Sequence, residues 1–223
     1  MNTPWPQVPA LVLPALGDTA AMVGIVMVIV VLLGTPLGVL LHNTSPLGLF
    51  PRPAVNAVIS WIANLGRSLP FLVLLAAVIP FTQFVVGTNI GIQAAIVPMS
   101  LAGIPFFARL VENAIREVPS DITNVGLVSG GSTLQIIRSA QLAEALPGLF
   151  AGFTINVIAM IEYSAIAGAV GAGGIGYLAV NYGYQRFDGN IMLVCVLILI
   201  ALAQSVQFLG DRVVRRVSGA ART

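Results

Sequence analysis

Residues 68–108 run for 41 positions without an aspartate, glutamate, lysine or arginine. A membrane-spanning helix needs about 20 mostly apolar residues, so this run holds two spans. Turn residues break it at Pro80 and at Gly87-Thr88-Asn89, where helices stop readily. One span therefore ends near Val86 and the next occupies about 91–109. The earlier one can start within 54–66, which is also apolar. Three further runs have the required length: 19–41, uncharged between Asp18 and His42, then 146–170 and 191–210. The chain is 57% hydrophobic and 8% charged, against roughly 25% charged in soluble domains. The bilayer must be its solvent. These runs predict an all-α integral membrane protein of about five transmembrane helices.

The same composition excludes several functions. Ten arginines and no lysine, mostly scattered singly, do not form the dense basic stripe that tracks nucleic acid. Cys195 is alone, which rules out an internal disulfide and a thiolate metal centre, and it reads as a packing residue. No catalytic, metal or cofactor constellation is present. Residues 1–17 lack the positive start of a cleavable signal peptide.

The longest polar stretch, about 115–145, separates the third and fourth spans. Pro119-Ser120-Asp121 reads as a helix start, with Ile122, Val125 and Val128 along one face. Gly130-Gly131 breaks the chain, and Ser132 followed by Gln135 is a capping-box pattern that restarts it. Two short helices outside the bilayer are expected. Positively charged loops stay cytoplasmic. Nine arginines (52, 67, 109, 116, 138, 212, 215, 216, 222) fall on one side of the predicted spans and Arg186 alone on the other. The N-terminus is therefore expected outside and the C-terminus inside. On this reading 1–15 is an extracytoplasmic segment, 16–210 the transmembrane domain and 211–223 a cytoplasmic tail.

Several short motifs, in order, resemble the permease subunit of the methionine-import ABC transporter family. They include Arg67-Ser68-Leu69-Pro70-Phe71, Ile79-Pro80-Phe81-Thr82, Pro105-Phe106-Phe107-Ala108-Arg109, Gln135-Ile136-Ile137-Arg138, Glu144-Ala145-Leu146-Pro147-Gly148 and the glycine-rich 168–176. The resemblance covers roughly 16–215. It implies a type I ABC importer permease fold in the bacterial inner membrane, working as a homodimer. It also implies a soluble ATP-hydrolysing subunit that carries ATP and Mg, and an extracytoplasmic binding protein that delivers methionine. A chain without lysine cannot contain a Walker A loop, so any ATPase must be another polypeptide. The loop of 115–145 then becomes the coupling helix that docks on the ATPase. The family's Glu-Ala-Ala…Gly signature falls on Asn124, Val125 and Gly126, with Gly130 at its glycine and Glu144 downstream. The acid and both alanines are changed here.

Glu162 lies inside the fourth span, where an acid costs about 2–3 kcal/mol. The resemblance implies a small residue at this position. Glu162, with Tyr163, Ser164 and Ile166, is a candidate for the translocation pathway, attracting a substrate ammonium. The alternative is a hydrogen-bonded or neutral group within the bundle. Gly171 to Gly176 satisfies G-x-G-x-x-G, but no strand precedes it, so a dinucleotide site is rejected; close packing or an irregular segment beside the pathway remains. Gly34/Gly38 and Gly148/Gly152 are G-x-x-x-G pairs that read as packing within the subunit. A carrier that works alone would show paired repeats with broken helices, and no second copy of any span is evident.

Overall fold

The computed structural model describes residues 2–220, leaving aside the side chains of Arg67, Gly219 and Ala220. Among the described residues every regular element is helical. After a turn at Trp5–Gln7, α1 is Val8–Thr44, α2 is Pro53–Ser68, α3 is Phe71–Ala77, α4 is Ile79–Val86 and α5 is Ile92–Arg116. Then come α6 (Ser120–Val128), α7 (Thr133–Gln135) with a π-helical stretch at Ile136–Leu142, and α8 (Leu146–Ala167). A π-helical Gly168–Ala172 and Ala179–Tyr184 flank α9 (Gly174–Leu178), and α10 is Gly189–Ala220. Four of these helices are long and apolar enough to cross a membrane, and a fifth span results if α2 and α3, bent by 101°, count as one. The bend falls before Pro70, which lacks the amide a continuous helix requires.

Helix ends differ from expectation in one consistent way. The first span was expected over 19–41 and α1 is far longer, so most of the segment 1–15 is helical. The fifth was expected to stop near Gly210, and α10 runs on through the arginines of the tail. The third was expected to end near Arg109, and α5 continues to Arg116. A charge ends an apolar run without ending the helix. Arginine is itself a good helix former, and 37 residues at about 1.5 Å each exceed the ~30 Å core of a bilayer.

The helices divide between two compact units. The first takes the chain up to Ile29, Leu69–Gly103 and Val157–Val206. Its core joins Val8, Val12 and Ala15 of α1 to Ile175 and Leu178 of α9 and to Ile191 and Cys195 of α10. Cys195 is thus a packing residue. Asp188 caps α10, accepting from the Asn190 and Ile191 amides, and also holds the N-terminus by accepting from the Thr3 amide at 2.8 Å. The second unit takes Val30–Ser68, Ile104–Asn156 and the chain from Gln207. There α1 packs on α5 through Gly34 and Gly38, where an added Cβ would meet the Ala108 carbonyl at 2.5 Å. Gly148 and Gly152 of α8 face Ala114 and Leu110 of α5. Both G-x-x-x-G pairs are packing devices within the subunit.

Candidate functional site

The segment after α5 folds from its own sequence signals. Pro119, extended at ψ 131°, starts α6, and Asp121 in the first turn suits the positive end of the helix dipole. Gly130 closes it at φ 75°, a backbone state that residues with a Cβ rarely adopt. Ser132 then forms the capping box with Gln135: the Gln135 amide donates to the Ser132 hydroxyl and the Ser132 amide to Oε1 of Gln135 at 2.9 Å. Gly126 leaves room for Ile136, whose Cγ1 would lie 3.1 Å from a Cβ placed there. The two short helices fold back on each other.

This pair presents apolar side chains outward. Val125 is 65% and Val128 89% exposed, beside exposed Leu127 and Leu134, while Ile122 is half-buried. Asn124 is also exposed and lines a cavity of about 260 Å³ with His42, Arg116, Ser120 and Thr123 among its polar residues and Leu47, Ile115 and Leu127 among its apolar ones. Gly130 and Glu144 are exposed. Beneath the pair, Asn43 and Gln141 exchange two hydrogen bonds of 2.9 and 3.0 Å, both side chains buried. Sequence reasoning missed this pair, because two amides 98 positions apart carry no local signal. Nearby, buried Glu112 accepts from Arg109 at 2.6 Å and from Arg116 at 2.5 Å.

Glu162, Tyr163 and Ser164 point different ways, as successive helix positions about 100° apart must, while Ile166, four positions on from Glu162, lies on its side of the helix. Glu162 is exposed and borders a shallow hollow with Ile158 of α8 and Leu199, Ala203 and Gln204 of α10. Tyr163 stacks on Phe71, ring centroids 4.3 Å apart and planes 8° from parallel. Ser164 is buried and donates to the Ile161 carbonyl at 2.7 Å. Ile166 is half-buried.

Backbone irregularity concentrates in the first unit. Gly87 ends α4 at φ 75°, Gly91 stands at φ 88°, and the Gly91 amide donates to the Gly171 carbonyl at 3.0 Å. Val170 and Gly171 leave helical geometry, and Gly171, Gly173 and Gly174 all have positive φ. The glycine-rich motif is thus an unwound helix end. Gly168 and Gly176 meet opposing backbone, Gly176 against the Ala165 carbonyl. The Ile175 amide donates to the Thr19 hydroxyl at 3.0 Å, fixing the break against α1. An apolar cavity of about 230 Å³ opens beside it.

Comparison with known proteins gives a concordant picture. The family model described as "Binding-protein-dependent transport system inner membrane component" matches residues 34–219. A probable D-methionine transport system permease protein MetI of Vibrio cholerae is 46% identical over 207 residues, 93% of this chain and 92% of that protein. The methionine import system permease protein MetP of Bacillus subtilis is 39% identical over 77% of this chain and 78% of its own length. The fold matches a chain of the inward-facing MetNI methionine ABC transporter with a TM-score of 0.93 at 40% identity, covering 96% of this chain and 99% of that one. The resemblance carried by the sequence motifs is to this same group.

Proposed function

The chain belongs to the family of binding-protein-dependent transport system inner membrane components, and on that premise we propose that it is the permease of an ATP-driven methionine importer. Its relatives are named for methionine transport and match it over most of their length. It is a multi-pass inner-membrane protein and not an enzyme. The working assembly is two copies of this chain with a soluble ATPase that binds ATP and Mg, served by a methionine-binding protein outside. The nine arginines carried by one set of connections support a cytoplasmic C-terminus and an N-terminus outside.

The observation that carries this reading is the α6–α7 pair. Its apolar residues are turned outward while its frame is fixed by the left-handed Gly130, the capping box and the Gly126–Ile136 contact. A rigid short helix with an open apolar face suits a groove on a partner and transmits rigid-body motion. Asn124, Val125, Gly126, Gly130 and Glu144 are assigned to that contact. For the pathway, Glu162 is the strongest of its group, because an exposed acid inside a span faces water or protein and not lipid. Tyr163 and Ile166 flank it, and buried Ser164 holds the helix turn.

The test is uptake of radiolabelled methionine into vesicles holding this chain, its ATPase and its binding protein. Accumulation should require ATP. Uptake that proceeds without the ATPase would make the chain a carrier acting alone and overturn the proposal. Orientation is tested after replacing Cys195: a cysteine at Thr88 should react with an impermeant reagent from outside, and one at Ser218 only from the cytoplasm.

A further inference from the structure

A cavity of about 260 Å³ in the second unit opens beside α6. Arg116 and His42 line it from the last turns of α5 and α1, Ser45 from the loop after α1, and Ser120, Thr123 and Asn124 from α6. Each of these side chains offers hydrogen-bond donors. Among the described residues that line the cavity none is acidic, and Glu117 and Asp121, close by in sequence, are exposed outside the lining. Charge is not balanced here. Buried Glu112 is shared by Arg109 and Arg116, two cations on one carboxylate, which leaves one positive charge over. The Arg116 side chain is 60% exposed and meets Glu112 through one terminal nitrogen. Its guanidinium fork matches phosphate oxygens two at a time. His42 and Arg116 also lie at the ends of the candidate spans Trp5–Thr44 and Ile92–Arg116, and the end of a span meets the layer where lipid phosphates lie. Basic pockets between helices on the cytoplasmic side of a membrane take anionic headgroups. Leu47, 90% exposed, lines the same space and offers an acyl chain a foothold.

We propose that this cavity holds a phosphate group, carried by an anionic lipid or free in solution, with Arg116 as its principal ligand. A phosphate held there bridges the ends of α1 and α5 to the first turn of α6. The site stands on its own geometry. That such a bridge steadies the contact of α6 with an ATPase rests on the importer reading above.

The test reads the reactivity of a cysteine inside the cavity, with the assembled importer in lipid nanodiscs, where both membrane faces are open. After Cys195 is replaced, Thr123→Cys reports on the cavity and Ser129→Cys on the exposed end of α6. The reagent is an uncharged maleimide, on which surface charge does not act. If the phosphate belongs to a lipid, adding phosphatidylglycerol to phosphatidylcholine should slow labelling at position 123 several-fold and leave position 129 unchanged. If it is free, inorganic phosphate should do the same in plain phosphatidylcholine. Either result supports the proposal and identifies the source. Arg116→Gln should abolish the slowing, and Arg116→Lys, which keeps the charge, should retain it. Labelling at position 123 that neither addition slows, that slows equally at position 129, or that still slows in Arg116→Gln overturns the inference. The comparison without a change at Arg116 decides the matter even where Arg116→Gln does not assemble. Methionine uptake is a separate readout, and its failure would sink the importer reading while the labelling result stands.

Discussion

In the unit built on 30–68, 104–156 and the chain from 207, glycine mostly removes a side chain so that helices can touch. Gly38 lies against Ala108 and Val111, Gly148 against Ala114, and Gly210 against Thr154. In the other unit five glycines shape the backbone instead: Gly87, Gly91, Gly171, Gly173 and Gly174 all have positive φ, beside close-contact glycines at 168, 176 and 183. The first use gives close contact with little room to adjust. The second leaves a cavity and interrupted helices. Polar chemistry divides in the same sense. The closely packed unit holds the Asn43–Gln141 pair, the Arg109–Glu112–Arg116 cluster and nine of the ten arginines. One region is stiff in the sense that its helices touch directly, and the other carries interrupted helices beside a cavity.

Four measurements can break or sharpen that contrast. The largest effect is expected for Gly38→Val, which would drive its side chain into the Ala108 carbonyl and the Val111 side chain. Thermal melting in detergent should show a loss of roughly 3 kcal/mol. A near-silent variant would mean that α1 and α5 can separate, and the stiff half of the comparison would fall. Asn43→Leu leaves the buried Gln141 amide unpaired and should cost roughly 1–3 kcal/mol. In the double variant with Gln141→Leu part of this loss should return, which a double-mutant cycle reads directly.

Gly171→Ala tests the other unit. At φ 108°, with only Ile90 Cγ2 at 3.8 Å, the added methyl meets strain but no clash, and about 1–2 kcal/mol is expected. A loss as large as that of Gly38→Val would erase the distinction between bending and packing glycines. The smallest effect is confined to acid. The Thr3 hydroxyl bonded to Asp188, with the amides around it, holds that carboxyl below its ordinary value. A lowered folded pKa means that the contribution is present above the unfolded value and is lost as pH falls through the folded one. The melting temperature of the wild type should therefore decline below about pH 4 by more than that of Asp188→Asn. Parallel profiles would show that the N-terminus is held by other contacts.

Much of this was legible in the residues because the signals are local. Gly130, the Ser132–Gln135 box and the turn at Gly87 each announce themselves within four positions, and each stands where it was expected. The uncharged runs likewise mark four of the spans, whereas the second, expected as one span ending near Val86, is broken into α2, α3 and α4. Helix length was not legible, because Asp18, Arg109 and Arg212 end the uncharged runs while the helices continue past them. Side-chain direction was also hidden. Glu162, Tyr163 and Ser164 are neighbours in sequence, yet one borders α10, one stacks on Phe71 and one bonds its own helix. Nor could any periodicity pair Thr3 with Asp188 across 185 positions.

Those distant pairs also set a timetable for biogenesis. Asn43 is made 98 residues before the Gln141 that satisfies it. At about 5–20 residues per second of synthesis, the asparagine waits on the order of 5–20 s for its partner. In hydrocarbon such an amide would be stranded for that whole interval. Asn43 sits in the last turn of α1, beside His42 and Thr44, at the end where water can serve it until Gln141 emerges. Thr3 waits longer still for Asp188. The finished protein is therefore sealed from late-made residues back to early ones, and a truncated chain would leave both of these contacts open.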